Sequence, residues 1–267
     1  MELINLTALD LSLAALLVLA LAGLSTRIGL GLEKQIIIAA LRTTIQLLLI
    51  GIVLKVLFTH AYLGWMTLIA TVMLLVAGRE VMARQTYRLT GWWGFGVGTI
   101  SMFVSSFAVT LLALVVVVQV EPWYTPQYAI PLLGMMLGNT MTGIAVGLDR
   151  LSQTAWQQRT RIEARLMLGH DWNAAIGDIR RDSARSGMIP IINAMAAAGV
   201  VSLPGMMTGQ ILAGAPPVEA VKYQILIMFL ITAGTGFGTM IAVYVGSRRL
   251  FDERQRLRLD RLAPAKA

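Results

Sequence analysis

Residues 95–118 read FGVGTISMFVSSFAVTLLALVVVV, 24 positions without one charged side chain. A hydrocarbon layer about 30 Å thick is crossed by roughly 20 apolar residues in a helix, and this run is sufficient alone. Working outward, comparable stretches occupy 6–26, 36–58 and 61–78 before it, and 128–148, 188–212 and 223–246 after it. Seven candidate spans result. The third is the shortest, and Pro204-Gly205 interrupts the sixth. Composition agrees: 57% hydrophobic, 13% charged and a mean hydropathy of +0.71, where a soluble domain is about a quarter charged. The expected fold is an all-α polytopic membrane domain over 1–267, with a hydrophilic loop at 149–187 and a basic tail at 247–267. Zero cysteines exclude disulfides and thiolate metal sites, and two histidines leave little for a His-built centre.

Basic residues accumulate on the cytoplasmic side of membrane helices. With the N-terminus outside, the cytoplasmic segments hold nineteen of the 22 basic residues. The inverted arrangement puts those nineteen outside, so the N-out, C-in topology is expected. The net charge of +8 is then topological and calls for no nucleic acid. Tyr62, Trp65, Trp123, Tyr124 and Tyr128 fall near the outer face, and Trp92, Trp93 and Tyr244 near the inner one, as interfacial anchors do. Glu2 is the only charge before the first apolar run, which does not fit a cleavable signal peptide.

Within 149–187, Ser152 to Leu168 has the pattern of an amphipathic helix carrying Trp156, Ile162 and Leu166 on one side. Gly169 suits a left-handed helix end. Asp171 suits the N-cap of a second helix carrying Ala175, Ile176 and Ile179. Two short helices meeting at a glycine form a surface knuckle. The order Glu163, Ala164, Gly169, Ile179 resembles the E-A-A-x3-G-x9-I-x-L-P loop of ABC-transporter permeases, with Arg165 at the second alanine and Arg181-Asp182 at the Leu-Pro. The resemblance implies that Glu163, Ala164, Arg165, Leu166, Gly169 and Ile179 couple the chain to an ATPase. The plain alternative is a solvated basic loop beside anionic lipid.

Residues 199–214, GVVSLPGMMTGQILAG, are the most distinctive string. Together with Arg42–Gln46, with 131–139 (PLLGMMLGN) and with the knuckle, they resemble the FetB-type (UPF0014) permeases, an ABC-transporter family associated with iron export whose plant relatives are linked to aluminium tolerance. The resemblance implies a homodimeric permease of the cytoplasmic (inner) membrane. ATP and magnesium would be bound by a separate ATPase subunit, with no cofactor on this chain. Ala196-Ala197 stand where some members carry Lys-Thr, so a substrate role for that lysine does not transfer.

Pro204 removes a backbone donor and breaks or kinks a helix. Non-helical backbone at membrane depth is tolerated where it is buried in protein or lines a cavity. Ser202, Pro204, Gly205, Met206 and Met207 are therefore expected on a translocation pathway, against the alternative of a kinked, packed helix. Gln46 and Asn139 lie ten or eleven residues into their spans, roughly 15 Å deep, and Arg42 shares a face with Gln46 at i, i+4. Buried charge of this kind faces a cavity or a structural partner. Met135-Met136 and Met206-Met207 read as soft-metal ligands or as core filler. Oxygen donors are available from Asn139, Asn193 and Ser202, but a coordination shell for bare iron is not recognisable. Gly134/Gly138 and Gly143/Gly147 read as a central packing stripe or a homodimer seam.

Among function classes, phosphate-cradling ATPase chemistry is excluded, because none of the four lysines follows a glycine as G-x4-G-K-S/T requires. An intramembrane enzyme lacks paired carboxylates, Cys or His at depth. A secondary transporter would need carboxylates within the membrane, and Asp10 is the nearest. Metal export and transport of a small organic solute, such as a nucleotide sugar, both remain open.

Overall fold

The computed structural model describes residues 7–59 and 62–264; His60 and Lys266 lie outside them. The chain divides into two compact units, Met1–Tyr62 with Leu212–Gly214, and Leu63–Ile211 with Ala215 onward. Among the described residues six helices are long and apolar enough to cross a membrane, and the chain is an all-α polytopic membrane protein.

The first unit is a helical hairpin of α1 (Ala8–Ile28) and α2 (Glu33–Thr59). Thr7 and Asp10 form a reciprocal capping box at the start of α1. The hairpin turns through Gly29 and Gly31, with φ +73° and +67°, values that a side chain would strain. The buried Ser25 hydroxyl accepts from Leu32 N at 3.3 Å and donates to Glu33 at 3.4 Å.

The second unit starts with α3 (Leu63–Ala83), strand β1 (Tyr87–Leu89) and a span built from α4 (Trp92–Met102), a π segment, α5 (Ala108–Leu112) and a second π segment ending at Val117. The long α6 (Pro126–Gln157) follows. Its 32 residues reach about 48 Å, well past a hydrocarbon layer, and Leu151 and Ala155 are still buried near its end. Then come α7 (Arg159–Met167), α8 (Trp172–Ala175), α9 (Gly177–Ala197), α10 (Gly205–Leu212), α11 (Pro217–Arg249) and strand β2 (Leu262–Pro264).

Three helices set the frame. A Cβ added at Gly143 of α6 would lie 2.6 Å from Thr239 Oγ1 of α11, and one at Gly147 would lie 3.0 Å from Val243 Cγ2. These pairs advance together along both chains, so α6 and α11 run parallel. Gly187 of α9 meets Gly143, and Ser183 meets Gly147, so α9 runs antiparallel and returns the chain to the Pro126 end of α6. The Gly143/Gly147 pair is thus a packing stripe inside the chain. Gly138 has nothing within 4 Å of an added Cβ.

The expected sixth span, 188–212, differs most. Its helix begins earlier, at Gly177, and carries charge through its first half. It ends at Ala197, and residues 198–204 are non-helical before α10 begins at Gly205. Gly199, at φ +82°, donates to Ser202 O at 2.9 Å, closing a tight turn ahead of Pro204. The hydrophilic loop of 149–187 is also mostly helix, since α6 continues to Gln157 and breaks only at Gln158 (φ −103°, ψ 25°). The single helix expected over 152–168 is therefore two. Trp156 lies in the last turn of α6 and stacks on Tyr87 at 5.1 Å, while Ile162 in α7 is fully buried. The basic tail folds back too. Leu250, Phe251 and Leu262 are buried, and β2 pairs antiparallel with β1.

Candidate functional site

Two places gather the residues of interest, one at each end of α6. At the Pro126 end, α6, α10, α11 and the end of the preceding span (Leu114 and Val118) line a chamber of about 210 Å³. Gln127, Tyr128 and Met135 come from α6, Met206 and Gln210 from α10, and Tyr223 from α11. No charged side chain lines it. The Gln210 Oε1 is buried without a hydrogen-bond partner. Unsatisfied amide oxygens of this kind are costly and stand ready to accept from a guest. Thioethers, phenols and amides select a neutral or softly polar group and form no strong hard-cation site. Among the described residues no three His, Asp or Glu side chains gather as metal ligands.

The expected pathway residues separate on this geometry. Met206 lines the chamber together with Met135 of the other Met pair, while Met136 and Met207 are buried. Pro204 and Gly205 start α10, and Ser202 lies exposed in the turn before it. Asn139 is half-buried and donates to Met135 O of its own helix at 2.9 Å. Asn193 is exposed on α9, and Arg42 and Gln46 are exposed on one face of α2 in the first unit. Of the threonines on α11, Thr232 donates to Met228 O at 2.7 Å, whereas the Thr235 and Thr239 hydroxyls are buried without partners.

At the Gln157 end stands the knuckle. Gly169 has φ +87°, and Asp171 caps α8 by accepting from Ala174 N at 2.8 Å, both as expected, but the second helix is split: α8 ends at Ala175, and Ile179 belongs to α9. Arg165 is a brace. Its guanidinium makes a two-pronged pair with Asp178 at 2.7 and 2.9 Å and also donates to Ala175 O at 2.9 Å. Arg161 reaches the same carboxylate at 2.9 Å. The hydrogen bond from Arg165 holds the Asp178 carboxyl down at about 2. Ile179 is only 3% exposed and packs in the core with Ile162, Ala175 and Ile176, so a partner cannot touch it in this conformation. Glu163 is exposed, and Ala164 and Leu166 are half-buried. The apolar tip consists of two residues not singled out in the sequence, Met167 at 83% and Leu168 at 80% exposed. Trp172 N donates to Gln255 at 2.9 Å, tying the knuckle to the C-terminal segment.

Residues 8–251 match the model of the uncharacterised protein family UPF0014. A UPF0014 membrane protein of Synechocystis is 39% identical over 86% of this chain and 88% of its own length. The probable iron export permease protein FetB of Escherichia coli is 31% identical over 97% of both chains. Protein ALUMINUM SENSITIVE 3 of Arabidopsis thaliana is 32% identical over 87% of this chain and 83% of its own. No solved structure matches. The chain is a member of the UPF0014 family of membrane proteins.

Proposed function

We propose that this chain is the membrane permease subunit of an ABC transporter, working as a homodimer in the cytoplasmic membrane with its N-terminus outside and its C-terminus inside. A separate ATPase binds and hydrolyses ATP and docks on the knuckle. The observation that carries the reading is a rigid base under an apolar tip. Arg165 and Arg161 clamp Asp178 beneath Met167 and Leu168, and a tip of this kind inserts into a groove while charges fix its register. Movement of the knuckle tilts α6 and α9 as rigid bodies.

The cargo is a metal, iron first, in keeping with the name of the Escherichia coli relative. The uncharged chamber favours a metal that arrives with its own ligands over a bare ion, because a hard cation needs several oxygen anions around it. The same chamber favours a second reading, a small organic solute. Reconstitution in vesicles with the cognate ATPase separates these. ATP-driven movement of chelated iron, with free iron left behind, supports the first. Movement of an organic solute alone supports the second, and no ATP-dependent flux of either removes both.

A further inference from the structure

A second cavity, about 370 Å³, lies at the C-terminal end of α11. Its cations are Arg248, Arg249 and Arg261, and its aromatic walls are Trp93 at the start of one span and Tyr244 near the end of another. Each arginine is held without using up its charge. The Arg249 guanidinium lies 4.6 Å over the Trp93 ring, and that of Arg248 lies 5.2 Å over Trp172. Arg261 donates to the carbonyls of Arg249 and Phe251 at 2.8 and 3.2 Å. Behind the wall, Arg180 packs 5.4 Å from the Tyr244 ring, its Nη1 buried without a partner. Among the described residues no carboxylate forms an ion pair with Arg248, Arg249 or Arg261. Of the two acids on the rim, Asp252 is taken by Arg256 at 2.8 Å and Glu253 is exposed.

We infer that this cavity binds the phosphodiester headgroup of an anionic phospholipid. Guanidinium forks pair with phosphate oxygens two at a time, and cation–π packing leaves their N–H edges available. The source is a lipid and not a soluble phosphate because of where the cavity opens. Trp93 and Tyr244 occupy the ends of membrane-spanning helices, the depth at which headgroups lie, and exposed Trp92 continues the apolar surface beside them. Basic pockets between span ends are the usual seat of such headgroups. The inference uses the membrane fold and is independent of substrate and ATPase.

The test is native mass spectrometry of the full chain in neutral detergent, titrated with phosphatidylglycerol or with phosphatidylcholine of identical acyl chains. The wild type should retain one phosphatidylglycerol with a preference of about tenfold or more. Arg248→Gln/Arg249→Gln should abolish that preference, while Arg181→Gln/Arg185→Gln, which removes two charges elsewhere, should keep it. Phosphatidylglycerol with brominated chains should quench wild-type tryptophan fluorescence more than that of Trp93→Phe. Equal binding of the two lipids by the wild type overturns the inference whether or not the variants fold. So does displacement of phosphatidylglycerol by millimolar inorganic phosphate, which would mark a soluble-anion site.

Discussion

The two ends of α6 are built on opposite principles. At the Pro126 end α6, α10, α11 and the end of the preceding span leave an uncharged chamber in which the Gln210 oxygen is unpaired. At the Gln157 end Arg165 is paired with carboxylate, Arg248 is stacked on a ring, Arg261 is bonded to carbonyls, and Asp171 caps α8. The difference fits the two tasks proposed for these ends. A surface that accepts varied small guests keeps its hydrogen-bonding capacity open, whereas a surface that receives force from another protein must not yield. Between them α6, α9 and α11 meet through glycines and threonines, close enough for the helices to move together.

Substitutions can break this contrast at graded cost. Ile162→Ala, fully buried in the knuckle, should cost the most, about 3–4 kcal/mol, read as a fall in midpoint on thermal unfolding in detergent. Gly187→Ala should follow at about 2–3 kcal/mol, because the new methyl would lie 2.7 Å from Thr239 Cγ2 and collide with α6. Gly138→Ala, with nothing within 4 Å, should leave the midpoint unchanged, and a large fall there would mean that the stripe extends further than Gly143.

The clamp gives a pH signature. Asp178 has a folded value of about 2 against an ordinary 3.8. A depressed carboxylate stabilises the fold fully above the ordinary value and loses that contribution as pH falls towards the folded one. The wild type should therefore lose about 1–2 kcal/mol between pH 4 and 2, and Asp178→Asn should already lack it at neutral pH. A pH profile identical in the variant would remove the brace from the account. At the other end Gln210→Leu should leave stability within about 0.5 kcal/mol, since it deletes an unpaired buried oxygen, yet reduce flux in vesicles several-fold. Unchanged flux would move the pathway away from the chamber.

The legibility of these features followed their range along the chain. Six of the seven apolar runs located helices long and apolar enough to cross a membrane, the run over 188–212 being the exception, and α6 and α11 continue past their runs with Leu151, Ala155 and Ser247 still buried. Local chemistry was readable: Gly169 is left-handed and Asp171 is a cap, each decided by a few neighbouring atoms. Long-range pairing was not. Nothing near Arg165 announces Asp178 thirteen residues on, and the tail reads as a solvated basic segment until β2 finds β1. The chamber collects Gln127, Gln210 and Tyr223 from three helices, and only their packing brings them together. Met206 alone of the expected pathway residues lies in it, and the string around Pro204 marked its helix because proline and glycine dictate where α10 starts.

The account rests most heavily on the apolar tip of the knuckle, and one measurement reaches it. ATP hydrolysis by the proposed ATPase partner is compared with wild-type permease and with Met167→Ser/Leu168→Ser in the same vesicles. Both side chains are exposed, so the double variant should keep its unfolding midpoint. The prediction is that the ATPase no longer co-purifies with the variant and that permease-stimulated hydrolysis falls to the level of the ATPase alone. Full co-purification and undiminished stimulation would contradict it.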